Sequence, residues 1–411
     1  MPPLSTTRRN LALFALALGG FGIGTTEFVS MGLLPQIGEE LIAGFATDPQ
    51  AGIAQAGWLI TVYALGVVIG APVTAVVAAT LSQRTLVLIL AAAFTTANLA
   101  SALMPTFELT ALARFASALP HGAYFGVASL FAARLMGPGK QGAGVALALS
   151  GLTIANVVGV PLGTLLGQTA GWRWAYVAVA VIFAVALLIA FLTLPRVAGN
   201  PDRGALRELA AFRNPRLWLM LAVGAIGFGG FFAVYSYIAE VTTRSAGLAE
   251  SAVPWVLATL GVGMTVGNVI GGWASDRDLT RTLLLGFSTY IVIMALYATL
   301  AAQPVALFLL VFGVGATGSA LIPSIQSRII RIAGDAELLG AAMNHAAFNV
   351  GNSLGAWLGG LVIAGGFGYL APGWVGAALA ATGCILALVS VRLDRARAQV
   401  PRVEAELVAG G

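Results

Sequence analysis

Leu11-Ala-Leu-Phe-Ala-Leu-Ala-Leu-Gly-Gly20-Phe-Gly-Ile-Gly-Thr-Thr-Glu27-Phe-Val-Ser-Met-Gly-Leu-Leu34 is an apolar run of 24 residues, closed by Pro35, with a single carboxylate inside it. At about 1.5 Å per residue, a helix of this length exceeds the roughly 30 Å hydrocarbon thickness of a bilayer. The stretch reads as a membrane helix. An acid at membrane depth costs about 3 kcal/mol or more unless it faces a cavity or a partner, so Glu27 is the leading candidate for function. Gly20, Gly24, Glu27 and Met31 follow one another at i, i+4, i+7 and i+11, which puts the acid on a glycine-rich stripe open to close approach. An acid tied to a neighbour purely for packing is the alternative reading.

The rest of the composition agrees with a membrane protein. Hydrophobic residues make up 59% of the 411 positions and charged residues 9%, far below the roughly one quarter usual in soluble domains. Mean hydropathy is +0.92. The net charge of +5 is spread over loops and not gathered into a nucleic-acid patch. Cys384, the single cysteine, excludes an intramolecular disulfide and a cysteine metal cluster. Arg8 and Arg9 precede the first run as in a signal peptide, but the run is longer than the usual 7 to 15 residue h-region, so an uncleaved span is expected.

Polar, glycine and proline punctuation divides the chain into twelve spans near 11–34, 53–78, 85–104, 107–133, 142–168, 174–194, 217–240, 253–274, 281–301, 305–330, 339–365 and 371–391. With a cytoplasmic N-terminus, every Lys and Arg except Arg114, Arg173 and Arg244 falls inside. The positive-inside rule then puts both termini in the cytoplasm of a multi-pass cell-membrane protein. Residues 195–216 carry five arginines and a short amphipathic stretch at 205–212, and read as a linker between six-span halves at 1–194 and 217–411. A shift of 193 residues superposes Arg84 on Arg277 and Asn156-Val157 on Asn349-Val350, as parallel repeats about an axis along the membrane normal require.

Several motifs carry chemistry. In span 4, Arg114, Ala118, His121 and Phe125 share one face of a helix, and Arg114 matches Glu27 in depth. A guanidinium and a carboxylate at one depth can pair, and protonating the acid would break the pair. His121 could relay that proton or serve only as a hydrogen-bonded packing residue. In span 5, Gly151, Ala155, Gly159, Gly163 and Gly167 form an unbroken small-residue stripe beside Pro161, a packing seam with a bend. The turn Gly271-Gly272-Trp-Ala-Ser-Asp276-Arg277-Asp278 brings an acid to a helix end, where Asp276 can act on a helix N-terminus or an arginine; a solvated turn is the alternative. Tyr124, Phe231, Tyr235 and Asn349 are the expected lining of a cavity for an amphipathic organic molecule. Phe232, Tyr237, Glu240, Asn344, His345 and Asn352 lie on the same two later spans, with Tyr237 and Glu240 equally readable as interface anchors. A Walker A loop, a dinucleotide fingerprint and a His-Glu-x-x-His pair are absent from the sequence, so no cofactor is expected.

The run from Phe21 to Pro35, the glycine and proline pattern of span 5, and Asn344 to Gly360 resemble the major facilitator superfamily, and within it the 12-span drug:proton antiporters of the arabinose-efflux and chloramphenicol-efflux branch. The resemblance spans nearly the whole chain. It implies an all-α fold of two six-helix bundles with a cavity lined by spans 1, 4, 7 and 10. It also implies that Arg114 takes part in proton coupling, and that Gly272, Asp276 and Arg277 form the second-half gating loop. The first-half loop, Ala79 to Arg84, departs from the pattern by lacking its aspartate, and Ala118 stands where glycine is usual. The expected function is proton-coupled efflux of a small organic compound such as a drug, sugar or nucleoside, by a monomer that binds substrate, protons and the bilayer but no nucleic acid. Symport or proton-independent uptake is the rival within transport. A polytopic membrane enzyme is the rival outside it, and the scarcity of histidines argues against that.

Overall fold

The computed structural model describes residues 5–78, 81–137, 140–195, 213–333 and 337–398, and every regular element in them is helical. Backbone groups in hydrocarbon must be satisfied within the protein, and long apolar runs achieve this as helices. In the first half these are α1 (Thr6–Leu41), α2 (Pro49–Ala56), α3 (Trp58–Ala78), α4 (Gln83–Leu103), α5 (Phe107–Ala118), α6 (His121–Met136), α7 (Gln141–Ile154), α8 (Val160–Ala170) and α9 (Trp172–Thr193). The second half has α10 (Pro215–Tyr235), α11 (Val253–Arg277), α12 (Leu279–Leu300), α13 (Pro304–Ala333), α14 (Glu337–Val362) and α15 (Ala371–Ala398). Among the described residues, eleven helical stretches are long and apolar enough to cross a membrane, and α5 with α6 makes the twelfth span in two pieces.

Ser5, Asp48, Ser82, Thr106, Asn214 and Asp278 each accept a hydrogen bond from a first-turn N–H and so start their helices, at about 1 kcal/mol apiece. Helices α1 and α10 are the most deeply buried and stand at the centre. Helix α1 packs on α7, α8 and α9, and α10 packs on α14 and α15. Outward-facing Leu112, Val181, Leu188, Phe191, Val269, Leu285, Val305 and Leu309 form the apolar belt that lipid would cover.

Several helix boundaries differ from expectation, span 2 being split at Gly57 among them, and three bear on the site or on its half. Helix α1 continues through Pro35 to Leu41, with the proline inside it at the cost of one i→i−4 hydrogen bond. Span 4 is broken at Leu119-Pro120, so Arg114 and His121 do not share one continuous helix face. Helix α10 ends at Tyr235, five residues early, and a single helical turn, Ile238–Glu240, and a π turn, Val241–Ser245, follow. The linker expected at 195–216 lies largely outside the described residues, as do Ala79 and Thr80 of the first-half loop.

The internal repeat is visible inside the helices and shifts at the loops. Asn156 and Asn349 both donate to the carbonyl four residues earlier, Leu152 at 3.0 Å and His345 at 3.1 Å. Ser82 and Asp278, 196 residues apart, are the equivalent caps, so Arg84 corresponds to Thr280 and not to Arg277, which ends α11.

The small-residue stripe of span 5 packs on α1 of its own half. A Cβ at Gly151 would fall on the backbone carbonyl of Ala17 and 2.6 Å from the Phe21 nitrogen, whereas at Gly159 it would meet only the side chains of Thr25 and Phe21. The bend ahead of Pro161 is a π turn, Ala155–Gly159, in which the Val160 N–H reaches back to the Ala155 carbonyl. Span 5 also meets the second half at this turn, where Gly261 of α11 lies against the Asn156 backbone. Gly151→Ala is therefore expected to cost about 1 to 3 kcal/mol of stability, with a smaller loss for Gly159→Ala because side chains can move and backbone cannot. Thermal unfolding of both variants in detergent checks this; equal melting temperatures would show that the seam is not tight at Gly151.

Candidate functional site

The hydrophobic interior around α1 holds a polar cluster assembled from five spans. Arg114 is completely buried and donates to the Thr26 hydroxyl at 2.9 Å and the Thr26 carbonyl at 2.8 Å. Its guanidinium lies over the Tyr63 ring at 4.3 Å and the Tyr176 ring at 5.2 Å. Each stacked ring offsets part of the cost of burying the cation, by up to about 2 kcal/mol where water is excluded. The Thr26 hydroxyl in turn bonds Asn98, and Ser30 bonds the Tyr176 hydroxyl at 2.7 Å.

Glu27 does not pair directly with Arg114. No ion pair within 4 Å joins them; the carboxylate, 6% exposed, accepts a 3.4 Å hydrogen bond from Asn352 of α14 instead. The reason is helical geometry. Neighbouring residues on α1 point about 100° apart, so Thr26 faces Arg114 within the first half while Glu27 faces the second. Arg114 still acts on Glu27 electrostatically through the intervening space. The expected pair is therefore replaced by two contacts of neighbouring residues: Arg114 holds Thr26, and Glu27 reaches across the interface to Asn352.

His121 rejoins this cluster by an unexpected route. The break at Pro120 removes the shared face, yet the Tyr63 hydroxyl lies 3.2 Å from His121 Nδ1. Tyr63 thus links imidazole and guanidinium, touching one with its hydroxyl and the other with its ring. Beyond His121, the Phe125 ring stacks on His345 of the second half at 6.0 Å.

Of the expected cavity residues, Phe231 and Tyr235 come together, with ring centroids 5.3 Å apart, and Tyr235 also stacks on Phe28 at 5.3 Å. Tyr124 does not join them. Its hydroxyl approaches the Ala15 and Leu16 carbonyls in the core of the first half. Asn349 lies on α14 between Asn344 and Asn352, and all three keep a buried side-chain oxygen without a hydrogen-bond donor among the described residues. Such acceptors are costly unless a ligand or water satisfies them.

In the second-half loop, Asp278 and not Asp276 caps the next helix. Asp276 is exposed in the last turn of α11, Gly272 faces open space, and the Arg277 guanidinium lies 3.6 Å over the Trp273 ring. Sequence reasoning missed Thr26, Tyr63, Asn98 and Tyr176. Asn98 alone carried a signal, as an amide in an otherwise apolar span.

The halves touch on the face where α1 ends. There Gln36 and Gln168 bond Glu250, at 3.2 and 2.9 Å, and Tyr237 packs against Gly57 and Gly360. On the face where α1 begins, the described hydrogen bonds and ion pairs stay within a half: Arg8 with Thr193, Arg84 with Leu194, and Arg216 with Asp394. Among the described residues, hydrogen bonds therefore join the halves on the face where α1 ends and stay within each half on the other.

Residues 16–249 and 237–409 each match the Major Facilitator Superfamily. The chain belongs to this superfamily. Within it, the chain is 36% identical to the "Inner membrane transport protein YdhP" of Escherichia coli (strain K12) over 383 residues, covering 93% of this chain and 96% of the relative. It is 34% identical to the "Chloramphenicol resistance protein" of Streptomyces lividans, covering 92% and 95%, and 33% identical to the "Putative transporter AraJ" of Escherichia coli (strain K12), covering 87% and 89%. Among solved structures, a D-xylose-proton symporter superposes with a TM-score of 0.73 at 16% identity, over 93% of this chain and 97% of the symporter, which shows the shared fold. This member of the superfamily is a multi-pass membrane transporter and not an enzyme.

Proposed function

We propose that the protein exports a small organic compound, such as a drug, sugar or nucleoside, in exchange for protons by alternating access, its halves 1–194 and 217–411 rocking about the linker 195–216. The observation that carries this reading is the hydrogen bond from Asn352 to Glu27, a buried carboxylate at membrane depth that reaches from one half to the other. A charged acceptor holds a hydrogen bond roughly twice as strongly as a neutral one, so loading a proton onto Glu27 loosens a contact between the halves. Arg114, fixed on Thr26 and flanked by two tyrosines, supplies the fixed positive charge against which that proton competes. Aromatic Phe231 and Tyr235, with the free acceptors of Asn344 and Asn349, suit an amphipathic substrate that brings N–H or O–H donors. The name of the Streptomyces lividans relative supports export as the direction.

The test is reconstitution in sealed vesicles with an imposed pH gradient, using compounds chosen by a growth-inhibition panel of antibiotics, nucleosides and sugars. Uphill substrate movement against the proton flow supports the reading, and movement with the protons replaces it by symport.

Orientation has its own check. With Cys384 replaced, a cysteine at Ala205 is expected to react with an impermeant reagent only from the cytoplasm, and one at Ala46 only from outside. The reverse pattern would invert the topology drawn from the basic residues.

A further inference from the structure

A second charged site lies away from Glu27 and Arg114, on the face where α1 begins. A cavity of about 380 Å3 opens between the α11–α12 turn, the first turn of α12, the end of α13 and α15, lined by Arg277, Asp278, Leu279, Thr280, Arg328, Arg331, Ile332 and Asp394. Both acids in its wall already have cationic partners. Asp278 caps α12 at the Arg281 N–H, 2.9 Å away, and pairs with the Arg281 guanidinium at 3.3 Å. Asp394 pairs with Arg216 at 3.2 Å and with Arg328.

The cations are less completely used. Arg328 is 6% exposed; one of its amino groups serves Asp394 and Ser390, while its Nε is buried with no acceptor among the described residues. Arg331 is exposed, with no hydrogen bond or ion pair to any described residue. Among the described residues, the Arg277 guanidinium bonds the Trp273 carbonyl of its own helix, at 3.2 Å, and lies over the Trp273 ring. Leu279 and Thr280 open the 22-residue helix α12, so their N–H groups have no acceptor within the helix and add the positive end of its dipole. The Arg277 and Arg331 guanidinium groups, the unbonded Nε of Arg328 and a long helix N-terminus therefore meet in one cavity, and each of its two carboxylates has a cationic partner. Guanidinium forks and helix N-termini both match the oxygens of a phosphate.

We propose that this cavity binds a phosphate-bearing group, either the headgroup of an anionic lipid or a free phosphate compound. In the orientation proposed above the site faces the cytoplasmic leaflet, where anionic headgroups lie at its depth. Occupancy would tie the α11–α12 turn to α13 and α15, giving the second half a more rigid end.

The experiment is a binding titration of the purified full chain in detergent by native mass spectrometry. One arm uses short-chain phosphatidylglycerol and the other inorganic phosphate, with phosphatidylcholine as the zwitterionic comparison. Arg331→Gln is the main variant because an exposed arginine can be changed without risk to folding. Arg277→Gln is the second, and Arg328→Gln is avoided as it would leave Asp394 short of a partner. Phosphatidylglycerol binding in preference to phosphatidylcholine, weakened about tenfold or more by either variant, supports a lipid site. Phosphate binding with the same sensitivity, and no preference among lipids, supports a site for a free phosphate compound. Binding unaffected by both variants, or no binding in either arm, overturns the proposal. None of these outcomes depends on transport, so the result stands apart from the fate of the antiport reading.

Discussion

Glu27→Gln is expected to abolish uphill export while leaving substrate binding intact. The amide keeps the shape of the acid and can still accept the hydrogen bond from Asn352, but it cannot release a proton. One proton entering across about 100 mV and one pH unit releases about 3.7 kcal/mol, enough to hold roughly a 500-fold gradient of a neutral substrate. In proteoliposomes under such a gradient, the variant is expected to bring the substrate only to equal concentrations on both sides. Binding measured at equilibrium should change by less than about threefold, since no charge on the substrate is proposed to meet Glu27. Wild-type accumulation by Glu27→Gln would mean that the proton travels elsewhere, and His121 or Glu240 would become the next carboxyl or imidazole to replace.

Arg114→Ala is expected to have the second largest effect, with two separable parts. The first is structural: two charge-assisted hydrogen bonds to Thr26 and two ring contacts disappear from a fully buried position, a loss of about 3 kcal/mol or more in stability. The second is electrostatic: without the guanidinium, protonated Glu27 gains relative to its carboxylate, so the pH of half-maximal exchange moves upward by about one unit or more. Arg114→Lys separates them. A lysine keeps the charge but not the planar fork, so it should lose stability and retain most of the pH profile. An unchanged profile in Arg114→Ala would reduce Arg114 to a clamp on Thr26.

The sequence by itself determined that this is a polytopic helical membrane protein, since the length and apolarity of its runs leave a bilayer no other solution. It also singled out Glu27, Arg114 and His121 as candidates, because ionisable groups are expensive at membrane depth and these are few enough to stand out. The repeat was legible for the same kind of reason: Asn156 and Asn349 are rare amides in apolar spans, and both make the same bond to the preceding turn. Loop equivalence was not legible, because turns tolerate insertions that helices packed on two sides do not.

Only the tertiary structure decided which groups meet. Depth along a helix can be counted from sequence, but direction around it depends on rotation and breaks, and both changed the outcome here. Rotation of α1 gave Thr26 to Arg114 and left Glu27 for Asn352; the break at Pro120 swung His121 onto Tyr63, a residue with no sequence mark of its own. Helix rotation is fixed by packing against several neighbours at once, and those neighbours lie up to 325 residues away in the chain.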